Sequence, residues 1–368
     1  MTIFKTLSAE DRVSTKTLLH EAIPITGAIV SGNYGTFPND TNVKNFTHGM
    51  FQSVYDYPYL SSSANHIFDI SIGVSTQSSL YSSITEQQSK KNNIYNQMAQ
   101  VLMGYDKDGN IQRFDEDGDI VAGGNKINDA IFISFSRLLV KDEIKKGSFE
   151  LELGTQTTYA TPFSERIKIQ DTNAANSYRV NSPAGEYGIL YAGESAGTTT
   201  LEDNAQPGDT TTPVGLIYYQ AGVVVLSASV FLDDNDGGVL HDTGGTPDMS
   251  GPSGDHFDAM ITGSAISASA DAIRHRIYNL QFNNTIELNS TVYFCRAKHN
   301  EFNYSANPTY LTGSQIRVKN QATDIPISYI TSIGLYSADN TLLAVGKFSE
   351  PIRKDSNIEL TFRARLDY

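Results

Sequence analysis

The chain has 368 residues, with 41 Asp and Glu against 27 Lys and Arg, and its net charge of −14 excludes a protein that works by neutralising phosphate. Charged residues make up 18% of it, below the roughly 25% of ordinary soluble domains, a balance that fits equally a β-rich surface packed against neighbours and a β-rich protein of any function. One cysteine, Cys295, excludes an internal disulfide and a thiolate zinc site, and no run approaches the roughly 18 apolar residues of a membrane span.

Residues 1–50 combine a polar start, the apolar run IPITGAIV and a loop-like GNYGTFPNDTN. An extended arm reaching a neighbouring subunit and an edge strand with a loop both fit. A β-rich domain is expected over 51–190. Tyr55–Leu60 gathers three tyrosines around Pro58, so Tyr57 and Tyr59 are read first as core aromatics and second as interface anchors. His66–Val74 alternates as a strand. Ser83-Ile84-Thr85-Glu86 has capping-box spacing, and Ile94, Tyr95, Met98, Val101 and Leu102 recur at helical spacing before Gly104. That predicts one substantial helix near 85–103, its stripe facing a core. Tyr105–Ile111 (YDKDGNI) and Phe114–Ile120 (FDEDGDI) repeat one pattern of tight turns between short strands. Ala130–Leu139 and Ser148–Leu153 read as strands.

Residues 191–270 form an acidic, Gly- and Thr-rich insertion or second β-domain. Glu194–Asp258 holds eleven Asp and Glu and no Lys or Arg. Its single apolar run, Val214–Phe231, reads as two buried strands with a turn at Gln220-Ala221-Gly222. The remainder, 271–368, reads as a C-terminal β-module. Ala270–Ala297 is expected to form a hairpin turning at Asn283-Asn284-Thr285. Ile327, Tyr329, Thr331, Ile333 and Leu335 alternate with Ser328, Ile330, Ser332 and Gly334. Ser337–Asn340 supplies a turn, Leu342–Phe348 returns, and Glu350-Pro351 breaks the run. In the last strand Ile358, Leu360, Phe362, Ala364 and Leu366 share one face against Glu359, Thr361, Arg363, Arg365 and Asp367.

Few motifs point to chemistry. Gly193–Gly197 matches GxSxG, but a nucleophile elbow needs a helix directly after Ser195, and TTTLEDNAQPGD is loop composition. Asp255-His256 would be its partners in chain order. The Asp-Gly repeats place glycine fourth, against sixth in a calcium-binding EF-hand loop, and so read as hairpin turns. Asp233, Asp234 and Asp236, with His241, Asp242 and His256 nearby, form the densest ligand-type cluster. A solvated acidic loop, a cation site and a docking site for a basic neighbour are the three readings. No catalytic residue and no cofactor is assigned.

The run GLYSADNTLLAVGKFSEPIRK (Gly334–Lys354) resembles a module in virion structural proteins of T4-like phages that infect marine cyanobacteria. So do Lys16–Gly27, Asn45–Gly73 and Arg179–Tyr191, pieces spread over most of the chain. The resemblance implies a component of the phage particle, made in the bacterial host cytoplasm and incorporated in the virion. Its partners would be other virion proteins and further copies of itself, with neither nucleic acid nor membrane bound directly. The resulting expectation is a mainly β, multi-domain protein of β-sandwich or barrel-like modules with one helix. It would serve tail, baseplate or neck, the alternatives being a capsid-associated protein or a carbohydrate-binding or depolymerising tail component. Ile358, Leu360, Phe362, Leu366, Tyr57 and Tyr59 are the candidate interface residues.

Overall fold

A computed structural model of the chain describes residues 4–26, 41–82, 85–118, 125–135, 142–156, 162–172, 174–196, 213–232, 238–240, 261–262, 265–303, 311–312, 315–316, 323 and 325–368. Strands dominate. They are β1 (Arg12–Thr26), β2 (Val43–Asn45), β3 (Gln52–Tyr55), β4 (His66–Val74), β5 (Phe114–Asp115), β6 (Lys126–Ile127), β7 (Asp129–Ser134), β8 (Glu143–Ile144), β9 (Glu150–Gly154) and β10 (Arg166–Gln170). They continue as β11 (Arg179–Ser182), β12 (Gly185–Ala196), β13 (Pro213–Tyr218), β14 (Val223–Ser227), β15 (Ile277–Ala297), β16 (Leu311–Thr312), β17 (Gln315–Ile316), β18 (Ile327–Tyr336), β19 (Leu342–Asp355) and β20 (Leu360–Asp367). Helix α1 spans Glu86–Leu102 and α2 spans Ile266–Arg276.

The chain divides into two compact units, His20–Ile286 and the combination of Met1–Leu19 with Glu287–Tyr368. The larger unit is built on an antiparallel sheet in the order β15-β9-β10-β12-β13-β14-β7-β4-β3-β2. Both faces of its centre are covered. On one, Phe68, Ile70, Ile72, Ile131, Ile133, Val224 and Leu226 meet Ala270, Ala272 and Ile273 of α2. On the other, Phe132, Leu216, Tyr218, Val223 and Val225 meet Ile94, Tyr95, Ala99 and Leu102 of α1. Double coverage explains why Val223–Leu226 is apolar without alternation. Each of these side chains contributes roughly 1.5–3 kcal/mol by burial.

The strand pair and the turn around Gly222 (φ 64°) fall where the sequence places them. So does the left-handed cap at Gly104 (φ 79°), whose N–H reaches the Ala99 carbonyl. In the first repeat the Asp106 carboxylate accepts from the N–H groups of Asp108 and Asn110, Gly109 is left-handed, and Tyr105 bridges Ile111. It is a hairpin turn. Gly118 (φ 68°) makes the corresponding bend in the second repeat, whose Asp119 and Ile120 lie outside the described residues.

Several expectations are corrected. No boundary falls near residue 190, because β12 runs across it and pairs with β10 and β13. The strands of the acidic stretch, β13 and β14, sit mid-sheet rather than in a domain of their own. Ala270–Ala297 is not a hairpin. A second helix, α2, ends at Arg276, and β15 then continues for 21 residues. Asn284 and Thr285 do not turn, because they pair with Ile144 and Glu143 and are buried.

On α1 the capping residue is Thr85, whose hydroxyl accepts from the Gln88 N–H at 3.2 Å, while Ser83 lies outside the described residues. Val101 is exposed and Ala99 takes its place in the core. Gln88 and Lys91 are buried instead, donating to the carbonyls of Ile261 and Thr262, and burial pushes the Lys91 amine down to about 8.

Helix α1 rests on β4 where Gly73 leaves no side chain. A Cβ there would come within 2.8 Å of the Phe132 ring and 2.9 Å of the Tyr95 Cα. Gly73→Ala is therefore expected to cost about 1–3 kcal/mol in denaturant unfolding. Gly346→Ala, with nothing within 4 Å, should leave stability within about 0.5 kcal/mol.

Candidate assembly surface

Two polar clusters of the larger unit carry paired groups among the described residues. A cleft of about 460 Å³ is lined by Glu116, Lys126, Asn128, Asp129, Ser227 and Ser229 among others. Lys126 pairs with buried Asp115, and the Ser78 hydroxyl donates to Asp129 at 2.7 Å. Burial pushes the Glu116 carboxyl up, and a hydrogen bond from Ser227 opposes that shift. Among the described residues no three His, Cys, Asp or Glu side chains converge as metal ligands. Asp233, Asp234, Asp236, His241, Asp242, Asp255 and His256 lie outside those residues. At Ser195 the backbone is extended strand, flanked by Glu194 and Ala196 in the ladder with β10, and residues 197–212 lie outside the described residues.

Asp171 locks a second buried cluster. Its carboxylate accepts from the N–H groups of Gly147 (2.6 Å) and Phe149 (2.9 Å) and from the Tyr219 hydroxyl (3.1 Å). Lys146 lies 2.5 Å from Glu186 and 3.5 Å from Glu143, over the rings of Tyr178 and Tyr219. These bonds hold the turn before β9 against the end of β13. Desolvation nevertheless outweighs the three donors and raises Asp171 to about 6.

The smaller unit is organised differently. β20 lies antiparallel on the second half of β15, with Leu360 opposite Ala297, Phe362 opposite Cys295 and Leu366 opposite Thr291. Leu360, Phe362, Ala364 and Leu366 are half-buried and their charged alternates exposed, the phase the sequence predicts. Ile358 precedes the strand, in a turn where its N–H reaches the Asp355 carbonyl. Cys295 is half-buried rather than fully enclosed, and burial pushes its thiol up.

The N-terminal segment belongs to the same unit. Asp11 pairs with Arg296 at 3.1 Å, Ser14 hydrogen-bonds Thr291 at 3.0 Å, and Lys16 pairs with Glu287. Residues 4–19 thus pack on their own chain.

The hairpin β18–β19 forms the other part of this unit. Its turn follows the sequence, with Asn340 left-handed at φ 60°. Two details differ. The ladder shifts between Ile330 and Ser332, so Ile330, Ile333 and Leu335 are half-buried while Tyr329 and Thr331 are exposed. Pro351 does not end β19, because Ile330 pairs with Ile352 and Ser332 with Lys347, leaving 348–351 in the bulge. The rings of Phe348 and Phe362 meet at 4.9 Å and those of Phe4 and Tyr336 at 4.8 Å. Buried Lys354 pins the hairpin base, donating to Asn303 Oδ1 at 2.6 Å and to the carbonyls of Asp355 and His299.

This unit has hardly any core. Among its described residues Ala297 is the one buried apolar residue, whereas Phe4, Val13, Leu18, Leu19, Tyr329, Leu343 and Val345 are each about half or more exposed. Tyr57 and Tyr59, expected first as core aromatics, stand 48% and 38% exposed in the larger unit, on the bend after β3. The chain matches no family model, no curated protein and no solved structure.

Two outcomes are expected. Because the folded state holds Asp171 protonated to about pH 6 against 3.8 unfolded, its stabilising contribution is complete below pH 3.8 and lost as pH rises through 6. The Asp171 contribution to the unfolding free energy of the larger unit should fall by about 3 kcal/mol over that window, read as the difference between the pH profiles of wild type and Asp171→Asn. Parallel pH profiles for the two proteins would refute this. In the smaller unit, a double-mutant cycle on Phe348→Ala and Phe362→Ala should return a coupling of about 0.5–1.5 kcal/mol, measured by chemical denaturation.

Proposed function

We propose that this protein is a structural subunit of a tailed-phage particle, built into the tail, baseplate or neck and held by contacts with other virion proteins and with its own copies. The observation that carries the reading is the smaller unit. It has the strand pattern of an amphipathic β-module, yet among its described residues the apolar faces are mostly half-covered and the buried apolar content is a single alanine. A unit of this kind gains its missing burial by packing against neighbours, as subunits of a large assembly do. The resemblance of Gly334–Lys354 to a module of phage structural proteins falls on β18 and β19 of this unit.

A carbohydrate-binding tail component is the second reading, favoured by the exposed Tyr57 and Tyr59 and opposed by the absence of tryptophan. A capsid-associated position shares the carrying observation. The test is to purify particles of a phage that encodes the chain and to identify their proteins by mass spectrometry, then to locate the chain by electron microscopy. Stoichiometric presence in tail, baseplate or neck is expected. Its absence from purified particles would overturn the proposal, and density confined to the head would move the chain to the capsid.

A further inference from the structure

The hairpin β18–β19 is a two-stranded sheet of 10 and 14 residues, and among the described residues neither strand pairs with a third. Isolated two-stranded ribbons are marginal in water, and three or more strands are the usual minimum for a stable sheet. Both faces carry apolar side chains. Ile330, Ile333 and Leu335 are half-buried on one side, and Tyr329 (62%), Leu343 (67%) and Val345 (59%) are exposed.

The two outer edges are not alike. β19 carries exposed Lys347, Glu350 and Arg353, together with Pro351 in a bulge. Charge, proline and bulge are the devices that keep an edge from accepting a further strand. β18 reads ISYITSIGLY, without one charge or proline, and is rich in β-branched and aromatic residues. Among the described residues one edge is guarded and the other is bare.

We propose that β18 adds edge to edge onto β18 of a second copy of this chain, making a four-stranded sheet in the order β19-β18-β18-β19 about a two-fold axis. Charge selects the occupant. An acidic or basic strand finds no counter-charge on β18, whereas an uncharged strand lies opposite its own copy with no like charges facing. The surrounding region is compatible, since Lys298–Tyr368 holds eight Lys and Arg against seven Asp and Glu in a chain of net −14. A two-fold axis runs the paired strands antiparallel and makes the contact self-complementary, the commonest arrangement in soluble oligomers. The extended sheet continues the Ile330, Ile333 and Leu335 face across the axis. This inference rests on the assembly reading above and specifies one contact within it.

The experiment uses the full chain in sedimentation velocity over the micromolar range, comparing wild type with Thr331→Lys and Ser349→Lys. Both positions are exposed, one at the middle of β18 and the other on guarded β19. Wild type and Ser349→Lys are expected to dimerise with equal affinity. Thr331→Lys should weaken dimerisation about tenfold or more, because it places two lysines near each other across the axis. Circular dichroism checks that each variant is folded. Hydrogen exchange on the wild type gives a readout that needs no variant, since β18 amides should become slower to exchange as concentration rises. A wild-type chain monomeric throughout, or Thr331→Lys associating as the wild type does, would overturn the proposal. Detection of the chain in particles alongside either result would leave the assembly reading standing and remove only this contact.

Discussion

The larger unit depends on one constraint: its central strands are covered on both faces. Val223–Leu226 in β14 and Leu216–Tyr218 in β13 are buried because α1 closes one side of the sheet while α2 and the flanking strands close the other. The helix approaches closely at Gly73, where a β-carbon would stand 2.9 Å from the Tyr95 Cα. Once both faces are dry, polar groups at the margin need partners. Lys91 and Gln88 supply them to the Ile261 and Thr262 carbonyls, Asp171 to the Gly147 and Phe149 amides, and Lys126 to Asp115. These polar groups are held where the burial requires a partner.

The smaller unit lacks that constraint, and its interactions differ accordingly. In place of a core it has ring contacts such as Phe348–Phe362, ion pairs such as Lys5–Glu301 and Asp11–Arg296, and the lock at Lys354. Partly exposed ion pairs contribute little, typically 0–1 kcal/mol, so they fix geometry more than they add stability. Lys354 is different. It is fully buried and meets only neutral oxygens in the bonds described, so its position is set by hydrogen-bond geometry and holds Asn303 against the base of the hairpin. A module held by locks and edges is ordered locally while keeping apolar surface outside.

Much of this was legible in the residues where pattern and environment coincide. β4, the β13–β14 pair, the cap at Gly104 and the phase of β20 follow directly from period and turn chemistry. The failures have physical causes. Asn283-Asn284-Thr285 has turn composition, but β8 pairs there and makes it strand. Helix α2 was missed because Ser267, Ser269 and Arg274 disguise an apolar stripe, although Ile266, Ala270 and Ile273 do recur at helical spacing. Ala99 rather than Val101 reaches the core because Tyr95, Ala99 and Leu102 recur at i, i+4 and i+7 on the buried face of α1, and Val101 falls outside that line. The bulge in β19 could not be read from Pro351 alone, since proline there looks like a stop. Tyr57 and Tyr59 show the limit of composition: an aromatic cluster suits core and surface equally, and only the bend after β3 decides.

Charge is distributed so that solubility and association need not conflict. Eleven acids crowd Glu194–Asp258 without a single Lys or Arg, whereas Lys298–Tyr368 is within one charge of neutral. At physiological salt, the field of a solvent-exposed charge fades over about 8 Å. Separate chains are kept apart by their net charge of −14. A contact made through an uncharged strand in a neutral region meets little of that repulsion. The same economy of charge that leaves the smaller unit short of strong ion pairs therefore leaves its bare edge open to pairing. The guarded edge on β19 would confine such pairing to one side.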